Sequence, residues 1–235
     1  FMAVTYIGVC LIIVFTDLPQ VPAAFAEIVQ SAFGLKAVAG GAIGAMTVAM
    51  QKGIARGIFS NEAGLGSAPI AAAAAQTNEP VRQGLVSMTG TFIDTVVICT
   101  MTGLAIVLTQ SYTTGLDGAA MTTHAFSVGL FIPLIGKYIV NIGLVFFAFT
   151  TIIGWNYYGE RCLEYLSGGS RRAVMTYRFL YILAIFIGPF MTVEAVWTIA
   201  DIFNALMAIP NLIAVLALSG VVAAETGDYW KRMKK

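Results

Sequence analysis

Long apolar runs separated by short polar stretches dominate the hydrophobic pattern of this chain. Uncharged or nearly uncharged runs recur along the sequence, and a helix needs about 20 apolar residues to cross a bilayer. The runs predict six spans, at about 1–16, 37–56, 83–110, 137–159, 175–193 and 198–223. The fold class that follows is an all-α integral membrane protein.

The second run is the shortest, because it stays uncharged only over residues 37–51. The positive-inside rule decides whether it crosses the bilayer. If it does, one set of alternating loops holds Lys36 and Lys137, and the other set holds the remaining eleven of the thirteen Lys and Arg residues. Without that crossing the asymmetry weakens sharply. We therefore expect six spans, both chain ends in the cytoplasm, and a cytoplasmic loop at about 52–82.

Composition agrees with a membrane protein and excludes several functions. Hydrophobic residues make up 58% of the 235 and charged residues only 11%, against about 25% charged in soluble domains. A net charge of +1 argues against a nucleic-acid partner. One histidine and three cysteines form no metal-ligand or Ser/His/Asp pattern, so we predict neither an enzyme nor a cofactor. The start at Phe1, without Met or a basic n-region, makes us expect the C-terminal part of a longer protein.

Glycines interrupt the second predicted span. The string "AGGAIG" contains Gly40, Gly41 and Gly44, and each glycine costs a helix about 1 kcal/mol relative to alanine. A short, glycine-broken span is typical of a transporter binding site, where unwound backbone lines a cavity. Thr47 and Gln51, one and two turns further on, would then face the cavity or its cytoplasmic mouth. The alternative is close packing of two helices through small residues.

Three polar side chains lie deep in later spans. Asp94 stands near the middle of the third span, where a charge costs roughly 2.5–3.5 kcal/mol and is functional by default. With nearby hydroxyls it suits a hard monovalent cation, or it hydrogen-bonds a neighbouring helix as a structural carboxylate. Thr150 and Thr151, near the midpoint of the fourth span, either offer two oxygens to an ion or bond back to the preceding turn.

We read His124 as a surface residue, and Asn211 as a partner for the carbonyl that Pro210 frees.

Several strings resemble one family of transporters. "GIARGIFSNEAGLGSAPIAAAAA", "TGTFIDT", "FAFTTIIGWNYYGERCLEYL" and "IADIFNALMAIPNLIAVL" are similar to segments of the alanine or glycine:cation symporter family. The resemblance covers almost the whole chain. It implies the leucine-transporter-like fold of the APC superfamily, with residues 1–235 forming core helices five to ten, and the other half of the site lying outside this chain.

The resemblance also assigns roles to the polar residues. It places Gly40, Gly41 and Gly44 in the broken helix that opens the second repeat, where with Thr47 and Gln51 they would bind substrate. The same comparison implies a sodium site at Thr150 and Thr151, and makes ion or substrate contacts plausible for Asp94.

Residues 55–76 would then form the cytoplasmic mouth below the broken helix. Asn61 and Glu62 can cap a short helix or bond across to other loops, and Gly64 and Gly66 let the backbone turn. We interpret these four residues as an inner gate. The alternative is a rigid structural connector.

The function implied is symport of a small neutral amino acid, alanine or glycine, with Na⁺ across the cell membrane by alternating access. Proton coupling is the nearest alternative, with Asp94 as the candidate proton carrier within a span. A channel subunit would carry a repeated filter motif, and the sequence has none. The residues do not distinguish alanine from glycine.

Overall fold

The computed structural model describes residues 2–33 and 42–234, and regular structure in this part of the chain is helical throughout. The α-helices are α1 (Met2–Thr16), α2 (Val21–Ala32), α3 (Ala42–Asn61), α4 (Ala68–Ala72), α5 (Pro80–Thr91), α6 (Thr100–Leu108), α7 (Gly118–Gly129), α8 (Pro133–Leu166), α9 (Arg171–Ile187) and α10 (Val193–Met233). A π-helical segment, Phe92–Cys99, joins α5 to α6. Short 3₁₀ turns lie at Leu18–Gln20, Ser111–Thr114 and Gly188–Phe190.

Within the described residues, four helical stretches are long and apolar enough to cross a bilayer: Pro80–Leu108, Pro133–Leu166, Arg171–Phe190 and Val193–Met233. They cover the last four predicted spans and confirm a multi-pass membrane protein. A fifth candidate is a bent pair, Ala3–Thr16 and Leu18–Ala32, whose axes meet at 83°.

Six crossings remain a prediction. The second predicted span, 37–56, overlaps α3, which is helical from Ala42 to Asn61 but is not among the long apolar helices. Helix α10 has 41 residues and so is about 60 Å long. It therefore extends well past a hydrocarbon core of about 30 Å.

Two helices occupy segments that the sequence pattern assigned to loops. Helix α2 begins at a Val-Pro pair, which suits the first turn of a helix. Helix α7 lies inside the predicted loop at about 112–136. Both are too short to register as apolar spans, which is why the search for long runs missed them.

The chain forms two compact units and passes from one to the other inside α3, at the end of α5 and inside α8. The first unit comprises Phe1–Gly57 and Phe92–Thr151. Its apolar core is contributed by α1, α6, α7 and α8, with further packing of α2 against α6. The core side chains are Val9, Cys10, Ile13, Ala105, Ala125, Phe126 and Val140.

The second unit comprises Ile58–Thr91 and Ile152–Lys235. Its long helices α9 and α10 carry no buried side chain among the residues described. Aromatic and polar contacts hold it instead, such as the edge-to-face pair of Phe59 and Trp197, whose ring centroids are 5.2 Å apart. These contacts position the loop that follows α3.

Candidate functional site

A closely hydrogen-bonded loop at residues 61–67 follows α3. The Asn61 side-chain oxygen accepts the Ala63 N–H at 2.9 Å, and the fully buried Ser67 hydroxyl donates to Glu62 Oε2 at 2.7 Å. Glu62 has a φ of +56°, a conformation that costs a side-chain-bearing residue energy. The bond to Ser67 therefore fixes both the backbone and the carboxylate of Glu62.

Glycine is required at two positions of this loop. Gly64 and Gly66 have φ values of +87° and +81°, as expected of the residues that let the chain turn. At Gly66 there is a second reason, because an added Cβ would lie 3.1 Å from the side-chain oxygen of Asn211 on α10. The sequence had suggested a bond from Asn211 to the carbonyl freed by Pro210; the structure places Asn211 against the loop.

The loop and the helices α8, α9 and α10 line an open cavity of about 490 Å³. Aromatic side chains from α8 and α9 line part of it, together with Pro210 and Asn211 of α10 and with Leu65 and Gly66 of the loop. The aromatic members are Trp155, Tyr158, Tyr177 and Tyr181. The loop is thus one wall of a cavity and is not an extended surface connector.

Tyr158 reaches the loop from α8. Its hydroxyl lies within hydrogen-bonding range of the Glu62 carboxylate, so Glu62 has a partner on its own loop and another on a long helix. Sequence reasoning missed Tyr158, because "GWNYYGE" reads as the apolar end of a span. The only signal available was the aromatic density of that string.

An ion pair ties α8 to α9 beside this cavity. Glu160 is 7% exposed and accepts two bonds from Arg178, Nε at 2.8 Å and Nη2 at 2.7 Å. Arg161 adds a third bond at 3.1 Å. Such forked guanidinium–carboxylate pairs are strong and directional. The sequence pattern does not predict that Glu160 and Arg178 meet, since they lie on different helices.

The same two helices approach closely at a glycine. A Cβ on Gly159 would overlap the Tyr177 ring, and Tyr181 donates to the carbonyl of Ile152 at 2.9 Å. Small residues that allow close approach, and polar bonds between helices, are the contacts that hold membrane helices together. Helices α8 and α9 are therefore fixed relative to each other in the second unit.

The predicted substrate-binding residues divide into two groups. Gly40 and Gly41 lie outside the described residues. Gly44, Thr47 and Gln51 lie on α3, exposed and at spacings that put them on one face of the helix. The helix is regular from Ala42 onward, so the described part of "AGGAIG" is helical, including Gly44.

Asp94 lies in the π-helical segment. Its side chain is half-buried, and it falls in the first turn of Phe92–Cys99. π-Helical turns are rare and are frequently found at functional sites, because they break the regular pattern of backbone bonds. The structure thus adds an unusual backbone to the one carboxylate expected within a span.

Thr150 bonds back to the preceding turn of its own helix, which was one of the two alternatives that the sequence left open. Its hydroxyl donates to the carbonyls of Phe146 and Phe147, both at 3.0 Å. Thr150 and Thr151 are both exposed on α8. A hydroxyl that donates backward still offers its lone pairs outward, so an ion-ligand role for either threonine remains a prediction.

His124 is not the surface residue that its loop position suggested. It is half-buried on α7, and its Nδ1 lies 2.9 Å from the hydroxyl of the fully buried Ser111. Ser111 also bonds to Thr109 at 2.8 Å. No group of histidine, cysteine, aspartate and glutamate side chains suited to a metal ion occurs in the part of the chain that was described.

Comparison with known proteins decides the family. The model of the sodium:alanine symporter family matches residues 1–235. The chain belongs to this family.

Several transporters are similar to nearly the whole of this chain. An uncharacterized transporter of Haemophilus influenzae is 54% identical over 236 residues, 100% of this chain and 51% of the relative. The sodium/alanine symporter AgcS of Methanococcus maripaludis is 50% identical over 96% of the chain and 49% of AgcS. A probable sodium/glutamine symporter, GlnT of Bacillus subtilis, is 42% identical over 99% of the chain and 48% of GlnT. The chain spans about half the length of these relatives.

Proposed function

We propose that this chain supplies one half of a cation-coupled symporter for a small neutral amino acid, with Na⁺ as the coupling ion and alanine or glycine as the substrate. Membership of the sodium:alanine symporter family carries the proposal. Relatives named as sodium/alanine and probable sodium/glutamine symporters support it. The intact protein would work in the cell membrane by alternating access, with a leucine-transporter-like arrangement of helices and both ends of this chain in the cytoplasm.

Three groups of residues would carry the transport cycle. The segment around Gly40, Gly41 and Gly44, with Thr47 and Gln51, would contact the substrate. Thr150, Thr151 and Asp94 would contribute oxygens to the ion. Oxygen ligands of this kind suit a hard cation, and a carboxylate within a span marks an ion pathway by default.

The loop at residues 61–67 would act as the inner gate. Asn61, Glu62, Gly64 and Gly66 give it a fixed shape through the Glu62–Ser67 bond and two left-handed glycines. Because it is one wall of a cavity, opening of the loop would change access to that cavity. An alternating-access transporter needs such a two-state element on each side of its site.

Uptake by the intact protein in sealed vesicles tests the proposal. We expect radiolabelled alanine or glycine to accumulate when an inward Na⁺ gradient is imposed, and to do so equally in the presence of a proton uncoupler. Accumulation that requires a proton gradient and ignores Na⁺ would replace sodium by proton coupling, with Asp94 as the group that carries the proton. Absence of uptake of any small neutral amino acid would contradict the symporter assignment.

Substitution of the threonines tests the ion site. Thr150→Val and Thr151→Val each remove one oxygen at nearly constant volume. We expect at least one of them to raise the half-saturating Na⁺ concentration about tenfold, which corresponds to about 1.4 kcal/mol. Thr198→Val is the matched control, since Thr198 on α10 also donates back to its own helix, at 2.9 Å to Glu194. Unchanged Na⁺ dependence in both variants would remove the pair from the ion site.

A further inference from the structure

Helix α2 carries a packed face, a polar face and an exposed apolar face. Val21, Ala24 and Ile28 pack into a cluster with α1 and α6. Turned away from them, Phe25, Val29 and Phe33 form a stripe at i, i+4 and i+8. Their side chains are 53%, 40% and 63% exposed. A third face carries Glu27 and Gln30 together with the exposed alanines Ala23 and Ala26.

The orientation of α2 follows from that of α1. Helix α1 packs along α6 in the same direction, because Tyr6 bonds to Thr102 at 2.9 Å while Val14, two turns on, lies in one apolar cluster with Val107 and Leu108. Helix α6 is the final part of the Pro80–Leu108 membrane span. The axis of α1 is therefore aligned with that of the span. Since α2 is bent from α1 by 83°, α2 runs nearly parallel to the bilayer plane.

The level of α2 is also fixed. Its packed face meets Val107 and Leu108, at the last turn of the span. From the turn that follows the span, Tyr112 donates to Glu27 at 3.0 Å. Helix α2 therefore lies where the span leaves the hydrocarbon, with its polar side toward the residues that come after the span.

We propose that α2 is an interfacial helix seated in the lipid headgroup layer, with Phe25, Val29 and Phe33 inserted into the boundary with the acyl chains. A helix with separate apolar and polar faces binds there with its axis in the plane of the membrane. Insertion of α2 as a re-entrant hairpin is disfavoured, because it would place Glu27 and Gln30 in hydrocarbon. The partner of this surface is the bilayer itself and not another protein segment.

Spin labels at single cysteines measure how deeply each side of α2 lies in the bilayer. The intact protein, with every native cysteine replaced, is reconstituted into vesicles of phosphatidylethanolamine and phosphatidylglycerol. Labels replace Phe25, Val29 and Phe33 on the stripe, and Ala23 and Gln30 as matched exposed positions on the same helix. Power saturation with oxygen and with a water-soluble nickel chelate reports the depth of each label.

We expect labels on the stripe to favour oxygen and to lie about 5–10 Å below the headgroup level, and labels at Ala23 and Gln30 to favour the nickel chelate. Protection of the stripe from both reagents would show that protein covers it, and would overturn the proposal. Equal access of the nickel chelate to all five positions would place α2 in water and overturn it as well. Oxygen preference at all five would indicate a re-entrant hairpin, which also contradicts an interfacial seat.

Discussion

Different interactions stabilise the interior of each of the two units. The first has a true apolar core, in which Phe126, Ile13 and Cys10 are fully buried. Among its described residues the second buries little apolar surface, and beside aromatic pairs it has bonds from Ser67 to Glu62, from Arg178 to Glu160, and from Tyr181 to the Ile152 carbonyl. Each of these bonds is polar and joins specific atoms.

The difference matters because the solvent for most of the second unit is lipid. Apolar burial gives little driving force between helices in a bilayer, since lipid tails are as apolar as leucine. Close packing and hydrogen bonds must then fix the helices. The first unit, with α2 and α7 outside the long spans, can still use ordinary packing. We therefore expect cavity-forming substitutions to damage the first unit and loss of single polar partners to damage the second.

The largest expected effect is a cavity in the first unit. Phe126→Ala removes a fully buried ring that lies against Tyr6, with ring centroids 5.1 Å apart. Such truncations cost about 3–5 kcal/mol. We expect a marked fall in the unfolding temperature of the intact protein in detergent. Val128→Ala is the control on the same helix, because Val128 is exposed. Equal, small effects of both would show that this core does not stabilise the unit.

The next largest effect is expected in the second unit, at the pair that joins α8 and α9. Arg178→Ala leaves the buried Glu160 with only the weaker contact to Arg161. We expect a clear fall in the unfolding temperature, because the buried carboxylate of Glu160 is left without its main partner. Thermal unfolding of the intact protein measures it.

Two further variants sharpen this comparison. Arg172→Ala removes the same charge from an exposed position of α9 and should change the unfolding temperature little. Replacing Glu160 and Arg178 together by methionine should recover most of the loss, because the cost lies in the unpaired charge more than in the absence of the pair. A double variant as unstable as Arg178→Ala would mean that the ion pair itself supplies the stability.

The sequence predicted the features that depend on local pattern. Apolar run length located Pro80–Leu108 and the later spans, and two glycines with polar neighbours located the turn at Gly64 and Gly66. It could not predict the π-helical backbone around Asp94, nor α2, which is too short and too polar to stand out as a span. Boundaries of long helices were also missed, as at α10, where a helix continues into polar sequence.

Contacts between distant segments lay beyond sequence reasoning for a different reason. Glu160 stands next to Arg161 and eighteen residues before Arg178, and only the packing of α8 on α9 brings Arg178 to it. Asn211 was assigned to a local carbonyl because Pro210 precedes it, whereas the fold brings Gly66 to its side chain. A single sequence states which groups need partners but not which partner the fold supplies.

A smaller effect is expected at the loop of the second unit. Glu62→Gln keeps the shape of the side chain but removes the charge that Ser67 and Tyr158 face. Loss of one charge-assisted bond costs about 1.5–3 kcal/mol, which we expect to appear as an opened loop and not as global unfolding. A cysteine at Ser60 should then react faster with a membrane-impermeant maleimide from the cytoplasmic side. Asn78→Asp, a charge change in a neighbouring exposed turn, is the control. Unchanged labelling and uptake in Glu62→Gln would show the loop to be a rigid connector.

The smallest effect is expected in the first unit, at the hydrogen bond between Tyr112 and Glu27 of α2. The Tyr112 hydroxyl donates to Glu27, and this bond to a carboxylate raises the pKa of Tyr112 above its ordinary value. The folded state then holds the phenol proton more tightly than the unfolded state does. The bond's contribution to the free energy of unfolding is therefore fully present below about pH 10. It is lost as pH rises through the folded-state pKa of Tyr112. We expect Tyr112→Phe to lower the unfolding temperature slightly at pH 8, and the difference from the parent to vanish above that window. Tyr165→Phe, at an exposed tyrosine, should match the parent at every pH. A Tyr112→Phe variant that matches the parent at pH 8 would mean that the ring, which both residues share, and not the hydroxyl bond to Glu27, holds α2 to the turn after the span.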